Sequence, residues 1–147
     1  MMKTRVKDIL NVKGGQVWAV SPDDTVFKAL EVMAEHDIGA VLVMEGDELR
    51  GILSERDYAR KVILLGRASR GTPVREIMTT EVKTVSPDDT IDQCMAFMTK
   101  KHIRHLPVVE GGKVVGVISI GDVVKAVIDD QAFMLDQMEA YITGQPA

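Results

Sequence analysis

The sequence predicts an α/β (α+β) fold made of two copies of one β-α-β-β-α unit. The main observation is a tandem duplication, because Val20–Ile63 and Val85–Ile128 align without a gap and share 16 of 44 residues. Each copy also carries apolar residues at helical spacing and two short apolar runs around a glycine. Each copy of about 60 residues is too small for a large core of its own, so we expect the two to share one.

Each copy opens with Ser-Pro-Asp-Asp-Thr, which ends a predicted strand and starts a predicted helix. Short β-prone runs, Gln16–Val20 and Val82–Val85, precede the two motifs. Proline cannot continue a strand ladder, and the Asp and Thr oxygens can cap a helix. Apolar residues then recur at i, i+3, i+4 and i+7, which indicates amphipathic helices. They are Val26, Ala29, Leu30 and Met33 in the first copy, and Ile91, Cys94, Met95 and Met98 in the second.

A β-hairpin follows the first helix of each copy. Apolar runs flank Glu-Gly-Asp-Glu in one copy and Glu-Gly-Gly-Lys in the other, and a glycine-containing turn between such runs is typical of a hairpin. The runs are apolar throughout, so we expect helices on both sheet faces. The runs are Val41–Met44, Leu49–Leu53, Leu106–Val109 and Val114–Ile118.

A second helix is predicted after each hairpin, from about Arg56 to Leu65 and from about Asp122. The domain boundaries predicted from the repeats are 1–70 for the first repeat, 71–130 for the second and 131–147 for a C-terminal helix and tail. The stretch Asp129–Ile142 carries a near-helical apolar stripe, which would pack on its own domain or form a dimer contact.

Composition narrows the class of protein. A net charge of −4 argues against a general nucleic-acid footprint. No apolar run approaches the roughly 18 residues of a membrane span, and the first residues lack the apolar stretch of a secretion signal, so a cytoplasmic location is expected. The single cysteine, Cys94, lies on a predicted apolar stripe and is expected to be a buried thiol. No Cys/His spacing indicates a metal site.

The sequence feature that points to chemistry follows each hairpin. It reads Gly51-Ile-Leu-Ser54-Glu-Arg-Asp57 in the first copy, and the second copy repeats Gly, Ser and Asp at Gly116, Ser119 and Asp122. Serine followed by an acid three residues later can be a helix capping box with no ligand. Alternatively, the hydroxyl and carboxylate can bind ribose and phosphate at a helix N-terminus, with the glycine admitting a ligand close to the backbone.

Together these motifs resemble the paired cystathionine-β-synthase (CBS) domain, or Bateman module. The resemblance covers about Val6 to Ile128 and rests on the paired Val-Ser-Pro-Asp-Asp-Thr starts, the hairpins, Ile-Arg-His-Leu-Pro-Val-Val at Ile103–Val109, and the two Gly-x-x-Ser-x-x-Asp motifs. It implies a tandem CBS pair, with clefts between the repeats that bind adenosine ligands such as AMP, ADP, ATP or NAD. Stand-alone single-pair CBS proteins are the most similar architecture.

The resemblance also implies roles for individual residues. Asp57 and Asp122 would hold ribose hydroxyls, with Ser54 and Ser119 beside ribose and phosphate. Backbone near four residues would frame an adenine: Val82, Thr84, Ile103 and Pro107.

The two copies differ where phosphates would bind. The second copy has Arg104-His105, which the family uses to grip phosphate, where the first has Gly39-Ala40. The first copy has Arg56 and Arg60 on its second helix, as phosphate ligands or as a solvated face. We therefore expect two unequal sites. Trp18 is expected to pack internally or, alternatively, to stack on a base.

The sequence predicts an adenosine-ligand-binding regulatory module that senses energy or redox state and modulates an unidentified partner protein. The resemblance implies a homodimer in which four repeats form a flat disc, with an adenine nucleotide bound and neither nucleic acid nor membrane involved. No catalytic residues, catalytic cofactor or metal are expected, since the chain has no P-loop, nucleophile elbow or Rossmann glycine motif. The alternatives are a ligand-independent dimeric scaffold and a nucleotide-processing enzyme.

Overall fold

The structure, a computed structural model, describes residues 4–143, so the last four residues of the predicted tail, 144–147, lie outside the described residues. The mixed α/β architecture predicted from the duplication is confirmed. The elements are α1 (Val6–Lys13), β1 (Ala19–Val20), α2 (Val26–His36), β2 (Ala40–Glu45), β3 (Glu48–Ser54), α3 (Glu55–Tyr58), α4 (Ile91–Lys101), β4 (His105–Glu110), β5 (Lys113–Ser119) and α5 (Ile120–Thr143).

The chain forms two compact units that do not follow the order of the repeats. The first-copy unit consists of Gln16–Thr84 and Gly111–Val115. Within the described residues, the second-copy unit consists of 4–15, 85–110 and 116–143. The segment that precedes the first copy in sequence is therefore part of the second-copy unit.

The first-copy unit contains a three-stranded sheet in the order β1-β2-β3. β1 pairs with β2 in parallel, and β2 pairs with β3 as an antiparallel hairpin. Three successive residues of β2, Val41–Val43, are buried, which confirms that both faces of this strand are covered. The core also includes Val26, Ala29 and Met33 of α2.

The second-copy unit repeats this arrangement with fewer paired residues. β4 and β5 form a two-stranded sheet, and α4 buries Ile91, Cys94 and Met98. The buried-thiol prediction for Cys94 is thus confirmed. Val85 bridges Val108 in parallel, just as Val20 pairs with Val43 in the first copy.

The Ser-Pro-Asp-Asp-Thr motifs cap the helices that follow them, as their side-chain oxygens predicted. Thr25 and Thr90 are the N-caps of α2 and α4, and their hydroxyl oxygens accept hydrogen bonds from the backbone of Lys28 and Gln93. The acid before each threonine accepts from the backbone N–H of the motif serine at 2.8 Å. Each motif thus forms a closed turn that sets the start of its helix.

The strands predicted before these motifs are shorter than expected. Only Ala19–Val20 of Gln16–Val20 forms a strand, and Val82–Val85 contributes one bridge, at Val85. The residues that do not pair are those at the start of each predicted strand, and β-propensity alone does not provide them with a partner strand.

The second helices also differ from the prediction. After the single turn of α3, the first copy continues as a π-helical turn, Ala59–Ile63, rather than as an α-helix to Leu65. In the second copy, α5 runs without interruption to Thr143 and includes the stretch predicted as a separate C-terminal helix. Residues 131–139 of α5 are exposed, so this half does not pack on its own unit.

A short leading segment precedes each copy: Val6–Leu10 before the first and Val74–Met78 before the second. The two segments pack in equivalent ways, Val74–Met78 on the first copy and Val6–Leu10 on the second. Val74 donates its N–H to Asp24 O at 2.8 Å in the first-copy unit, and Val6 donates to Asp89 O at 2.9 Å in the second-copy unit. The next residues bond to the carbonyl oxygens of the two motif prolines. The repeat alignment pairs Asp24 with Asp89, so the docking is duplicated along with the repeats.

Candidate functional site

The first motif forms a capping box at the turn between β3 and α3. The Ser54 N–H and hydroxyl both donate to Asp57 Oδ2 at 3.1 Å, and the Asp57 N–H donates to Ser54 Oγ at 3.1 Å. The Glu55 N–H donates to Gly39 O at 3.0 Å and joins this turn to the start of β2. The capping interpretation is therefore correct, and it uses Oδ2 of Asp57.

The second motif has the same geometry. The Ser119 N–H donates to Asp122 Oδ2 at 2.8 Å, and the Asp122 N–H donates to Ser119 Oγ at 3.2 Å. The Ile120 N–H donates to Arg104 O at 2.8 Å, which is the counterpart of the bond between Glu55 and Gly39. Each motif thus presents a half-buried carboxylate where a strand ends and a helix begins.

A lysine approaches each motif carboxylate, but from a different part of the chain. In the first copy, Lys61 lies one turn after Asp57, with its Nζ 3.4 Å from Oδ1. In the second copy, Lys13 at the end of α1 donates to Asp122 Oδ2 at 2.7 Å. Ala126 stands where the repeat alignment would place a second Lys61.

The two carboxylates have different lysine partners because the segments that precede the two copies end differently. Thr79 exchanges backbone hydrogen bonds with Ile52, and its hydroxyl lies 3.5 Å from Asp57 Oδ1. In the second-copy unit, Lys13 Nζ donates to Val117 O at 2.9 Å, and Val117 is the counterpart of Ile52. The side chain of Lys13 therefore takes the place of the backbone and hydroxyl of Thr79.

Sequence reasoning missed Lys13 because it lies outside both repeats. The only available signal was the echo Val-Lys-Asp-Ile-Leu at Val6–Leu10, which matches Val-Arg-Glu-Ile-Met at Val74–Met78. That echo predicts equivalent docking of the two segments. It does not predict that α1 keeps its helical geometry as far as Lys13.

The charges around Asp122 affect the protonation of two groups. Burial opposes ionisation of Asp122, but hydrogen bonds from Lys13 and from the Ser119 backbone outweigh it and lower its pKa. Burial lowers the pKa of His105, as do the charges of Lys13 and Arg104, while Asp122 opposes them. His105 is therefore neutral at pH 7, and the positive charges of this cluster are those of Lys13 and Arg104.

The remaining predicted site residues divide between the two units. Arg56 and Arg60 are exposed, and Val82 and Thr84 are half-buried, all within the first-copy unit. In the second-copy unit, Arg104 is exposed, Ile103 and His105 are half-buried, and Pro107 is buried. The Pro107 carbonyl accepts from Val85 N–H at 3.0 Å, so it serves the sheet. Binding of an adenosine ligand by these residues remains a prediction.

Trp18 stacks on a protein ring. Its centroid lies 3.4 Å from that of His36, with the planes 10° apart. One face of the Trp18 ring therefore packs on His36, as the internal-packing interpretation predicted.

A cavity of about 230 Å³ adjoins the ion pair between Lys13 and Asp122. It lies between α1 and α5, within the second-copy unit, and its lining includes Asp8, Lys125 and Asp129. Ile9, Val12 and Ala126 supply its apolar wall. The cavity gives solvent and small solutes access to the side of this ion pair.

Within residues 4–143, no group of three or more His, Cys, Asp or Glu side chains is arranged to hold a metal ion. The helices of this part of the chain include none that is long and apolar enough to cross a membrane. The polar groups at the motifs are hydroxyls, carboxylates and ammonium groups, which suit hydrogen bonding to a hydroxyl-rich or phosphorylated ligand.

Comparison with known proteins gives consistent results. The family model described as the CBS domain matches twice, at residues 6–63 and 74–129. The mitochondrial CBS-domain protein CBSX3 of Arabidopsis thaliana is 40% identical over 151 residues, which cover 96% of this chain and 73% of that protein.

Solved structures agree with the sequence relatives. A CBS-domain protein of Burkholderia ambifaria, whose description links it to signal transduction, is 51% identical with a TM-score of 0.84 and covers 87% of this chain and 96% of its own. A hexameric CBS-CP12 protein from bloom-forming cyanobacteria is 26% identical with a TM-score of 0.73 and covers 84% of this chain and 71% of its own.

Proposed function

Because this chain belongs to the CBS-domain family and carries two CBS domains in tandem, we propose that it is a regulatory module that binds an adenosine ligand and modulates a partner protein. The ligand class is AMP, ADP, ATP or NAD. The ribose hydroxyls donate to Asp57 or Asp122, and the ligand acts as an effector rather than as a cofactor of catalysis.

The observation that carries this proposal is the duplicated carboxylate geometry. Asp57 and Asp122 each lie half-buried at a strand-to-helix turn, and each uses Oδ2 to accept the N–H of its own serine. Asp57 Oδ1 has only long contacts, 3.4 Å to Lys61 and 3.5 Å to Thr79. This oxygen is able to accept a shorter hydrogen bond from a ribose hydroxyl.

Charge at the second motif supports a phosphorylated ligand. The positive charges of Lys13 and Arg104 both act on His105, within one group that includes Asp122. The first-copy unit instead has two exposed arginines, Arg56 within its motif and Arg60 three residues after Asp57. The proposal therefore keeps two unequal sites.

A thermal-shift panel of AMP, ADP, ATP and NAD tests the ligand. At 100 times its dissociation constant, a ligand adds about 2.7 kcal/mol to the free energy of unfolding, which is about 5–10 °C in Tm for a chain of this length. We expect the shift to fall in Asp57→Asn or Asp122→Asn and to vanish in the double variant. The matched control is Asp47→Asn, in the exposed turn between β2 and β3.

Two alternatives have different outcomes. A ligand-independent scaffold shows no shift with any of the four compounds. An enzyme converts one of them, which chromatography of the incubated mixture detects. The enzyme alternative has no support from the motifs, and the relatives named above are CBS-domain proteins.

The proposal includes a homodimer, for which four repeats in a disc is the expected form. It is supported by the exposed apolar residues of α5 and by the hexameric state of the cyanobacterial relative. The regulated partner is a separate protein. A cytoplasmic location stays a prediction, and the Arabidopsis relative is mitochondrial.

A further inference from the structure

The helix α5 presents an exposed stripe with the spacing of a coiled coil. Its members recur at alternating steps of four and three residues, and this average period of about 3.5 places them along one line of the helix. The apolar members are exposed, from 49% at Val124 to 80% at Ile142. We call this stripe the α5 seam, and it consists of Val124, Ile128, Gln131, Leu135, Met138 and Ile142.

The packing of α5 on its own unit uses a different face of the helix. Val123 is fully buried, and Asp130, seven residues later, accepts a hydrogen bond from the Thr4 hydroxyl at 2.6 Å. Residues seven apart lie on one side of a helix, so this side is already covered. The α5 seam lies about 100° around the helix from it, which is the rotation between successive residues. The helix is therefore held by one face while the seam stays exposed.

The charges of α5 favour another copy of this chain as the partner of the seam. Residues 126–143 contain four acids and no base, so two such halves repel each other when they lie side by side. The turn before them has Lys125, which forms no ion pair within residues 4–143. A second α5 that runs in the opposite direction brings its acidic half to this lysine. The helix is therefore complementary to a reversed copy of itself.

We propose that two copies of the chain dimerise through an antiparallel pair of α5 helices. Ile128 then faces the partner's Met138. Val124 faces the partner's Ile142 at each end of the pair. Because α5 belongs to the second-copy unit, the dimer contact joins the second-copy unit of one chain to that of the other.

The residues that flank the seam determine the direction of the pair. In antiparallel coiled coils, the positions on one side of the seam face the same positions of the partner, so Lys125 lies beside the partner's Glu139. This contact occurs twice, once at each end. In a parallel pair Lys125 would lie beside the partner's Ile120, and Glu139 beside the partner's Met134. A parallel pair thus has no ion pair at these positions, although it would place the two copies of Gln131 in contact.

This inference rests on the homodimer of the proposed function and adds the surface and the direction of the contact. The second match to the family model ends at residue 129, whereas α5 continues to Thr143. The half of the seam from Gln131 onward therefore lies beyond the CBS domain. The contact is a property of this chain's own extension.

Charge exchange in the full chain tests the direction, with sedimentation equilibrium as the measurement. Lys125→Glu and Glu139→Lys each place like charges side by side at both ends of an antiparallel pair. Exposed ion pairs are individually weak, so we expect the dissociation constant of the dimer to rise about tenfold in each variant. The double variant again has opposite charges in contact, and its dissociation constant is expected to return to within about threefold of the wild-type value.

The matched control for Glu139→Lys is Asp136→Lys. Asp136 is exposed on the same half of α5, and its replacement changes the charge by the same amount, but it lies away from the seam. Combined with Lys125→Glu, this control is expected not to restore the dimer. Equal restoration by Asp136→Lys and Glu139→Lys would mean that the net charge of α5 is responsible, and it would overturn the antiparallel pairing.

Disulfide trapping provides a second test that does not depend on the ion pairs. In the antiparallel pair the two copies of residue 138 lie about 15 Å apart along the helices, which is beyond the reach of a disulfide. Met138→Cys alone should therefore stay unlinked. Mixed with Ile128→Cys protein, it is expected to form a dimer linked between positions 128 and 138, which mass spectrometry identifies. Cys94 is fully buried and does not compete. Self-linking of Met138→Cys would show a parallel pair and contradict the inference.

The outcomes separate this inference from the proposed function. A dimer that the double charge variant does not restore overturns the antiparallel pairing and leaves the homodimer standing. A monomeric wild-type protein overturns both the homodimer and its geometry. The binding of an adenosine ligand is decided independently by the thermal-shift panel.

Discussion

Leu10 packs so closely on Gly116 that a Cβ atom added to this glycine would lie 2.7 Å from Leu10 Cδ2. The first copy repeats the contact, since a Cβ on Gly51 would lie 2.9 Å from Met78 Sδ and 2.7 Å from Thr79 O. The motif glycine was predicted to admit a ligand. In both copies, the side of the glycine that a Cβ atom would occupy is filled by the segment that precedes the other copy, and ligand approach remains a prediction.

Replacement of Gly116 by alanine is expected to destabilise the protein. The added methyl group overlaps Leu10 and forces α1 to shift, which costs about 1–3 kcal/mol of unfolding free energy, measured by urea titration. The control is Gly121→Ala, where the nearest atom to the new Cβ is Ser119 Oγ at 3.6 Å. Alanine favours the helix there and is expected to be neutral or slightly stabilising. Equal stabilities for the two variants would contradict this packing argument.

The buried thiol predicts a loss of stability at alkaline pH. Burial, with a contribution from Asp89, raises the pKa of Cys94 from 9.0 to about 11. The unfolded chain releases the thiol proton at a lower pH than the folded chain. The contribution of the buried thiol to the free energy of unfolding is therefore complete below pH 9 and is lost as the pH rises to about 11. The loss amounts to about 2 kcal/mol.

Urea titrations between pH 8 and 11 measure this effect. Cys94→Ala lowers stability at every pH but is expected to lack this alkaline component. A thiol reagent should react with Cys94 only in the unfolded protein. Rapid reaction in the native state would show that the thiol is accessible.

Acid is expected to weaken the contact between α1 and the second motif. The pKa of Asp122 is below its ordinary value of 3.8. The contribution of Asp122 to the free energy of unfolding is therefore complete above pH 3.8 and is lost as the pH falls through the lowered pKa. Unfolding free energies at pH 6 and pH 3 measure the loss. Lys13→Met is expected to lose less than the wild type, by up to about 1 kcal/mol, and Lys7→Met is the control. An identical loss in Lys13→Met and wild type would argue against the ion pair.

The apolar residues of α5 are expected to mediate self-association. Leu135 and Met138 are 65% and 58% exposed, and large apolar side chains at the surface of a helix are typical of a protein interface. Glutamate at both positions should convert a dimer to a monomer in sedimentation velocity, with little effect on the fold because neither side chain is buried. Gln137→Glu adds a charge on the same exposed half of α5 and should leave the dimer intact. A monomeric wild-type protein would contradict the prediction.

The repeat alignment predicted the elements that depend on local sequence. Thr25 and Thr90 cap their helices because a hydroxyl at that position bonds to the backbone three residues later, which requires no tertiary contact. The capping geometry of Ser54 and Asp57 was predictable for the same reason. The short strands before the motifs were overestimated, because β-propensity depends on which partner strand is available.

At the candidate site too, features set by local sequence were predictable, and contacts between distant segments were not. The two carboxylates at Asp57 and Asp122 were found from the duplication, since identical local sequence gives identical turns. The different donors on them were not, because Lys13 reaches Asp122 through a contact over 109 residues. A repeat comparison assigns no counterpart to Lys13 within either copy.

The sequence by itself determined the duplicated fold, the helix starts and the two motif carboxylates, because all of these follow from short-range spacing and hydrogen bonding. Only the tertiary structure decided that each leading segment docks on the other copy and that a lysine takes the place of a threonine at the second motif. Such contacts depend on where distant segments meet. At the second motif, the 2.7 Å hydrogen bond from Lys13 to Asp122 makes two nearly identical motifs chemically different.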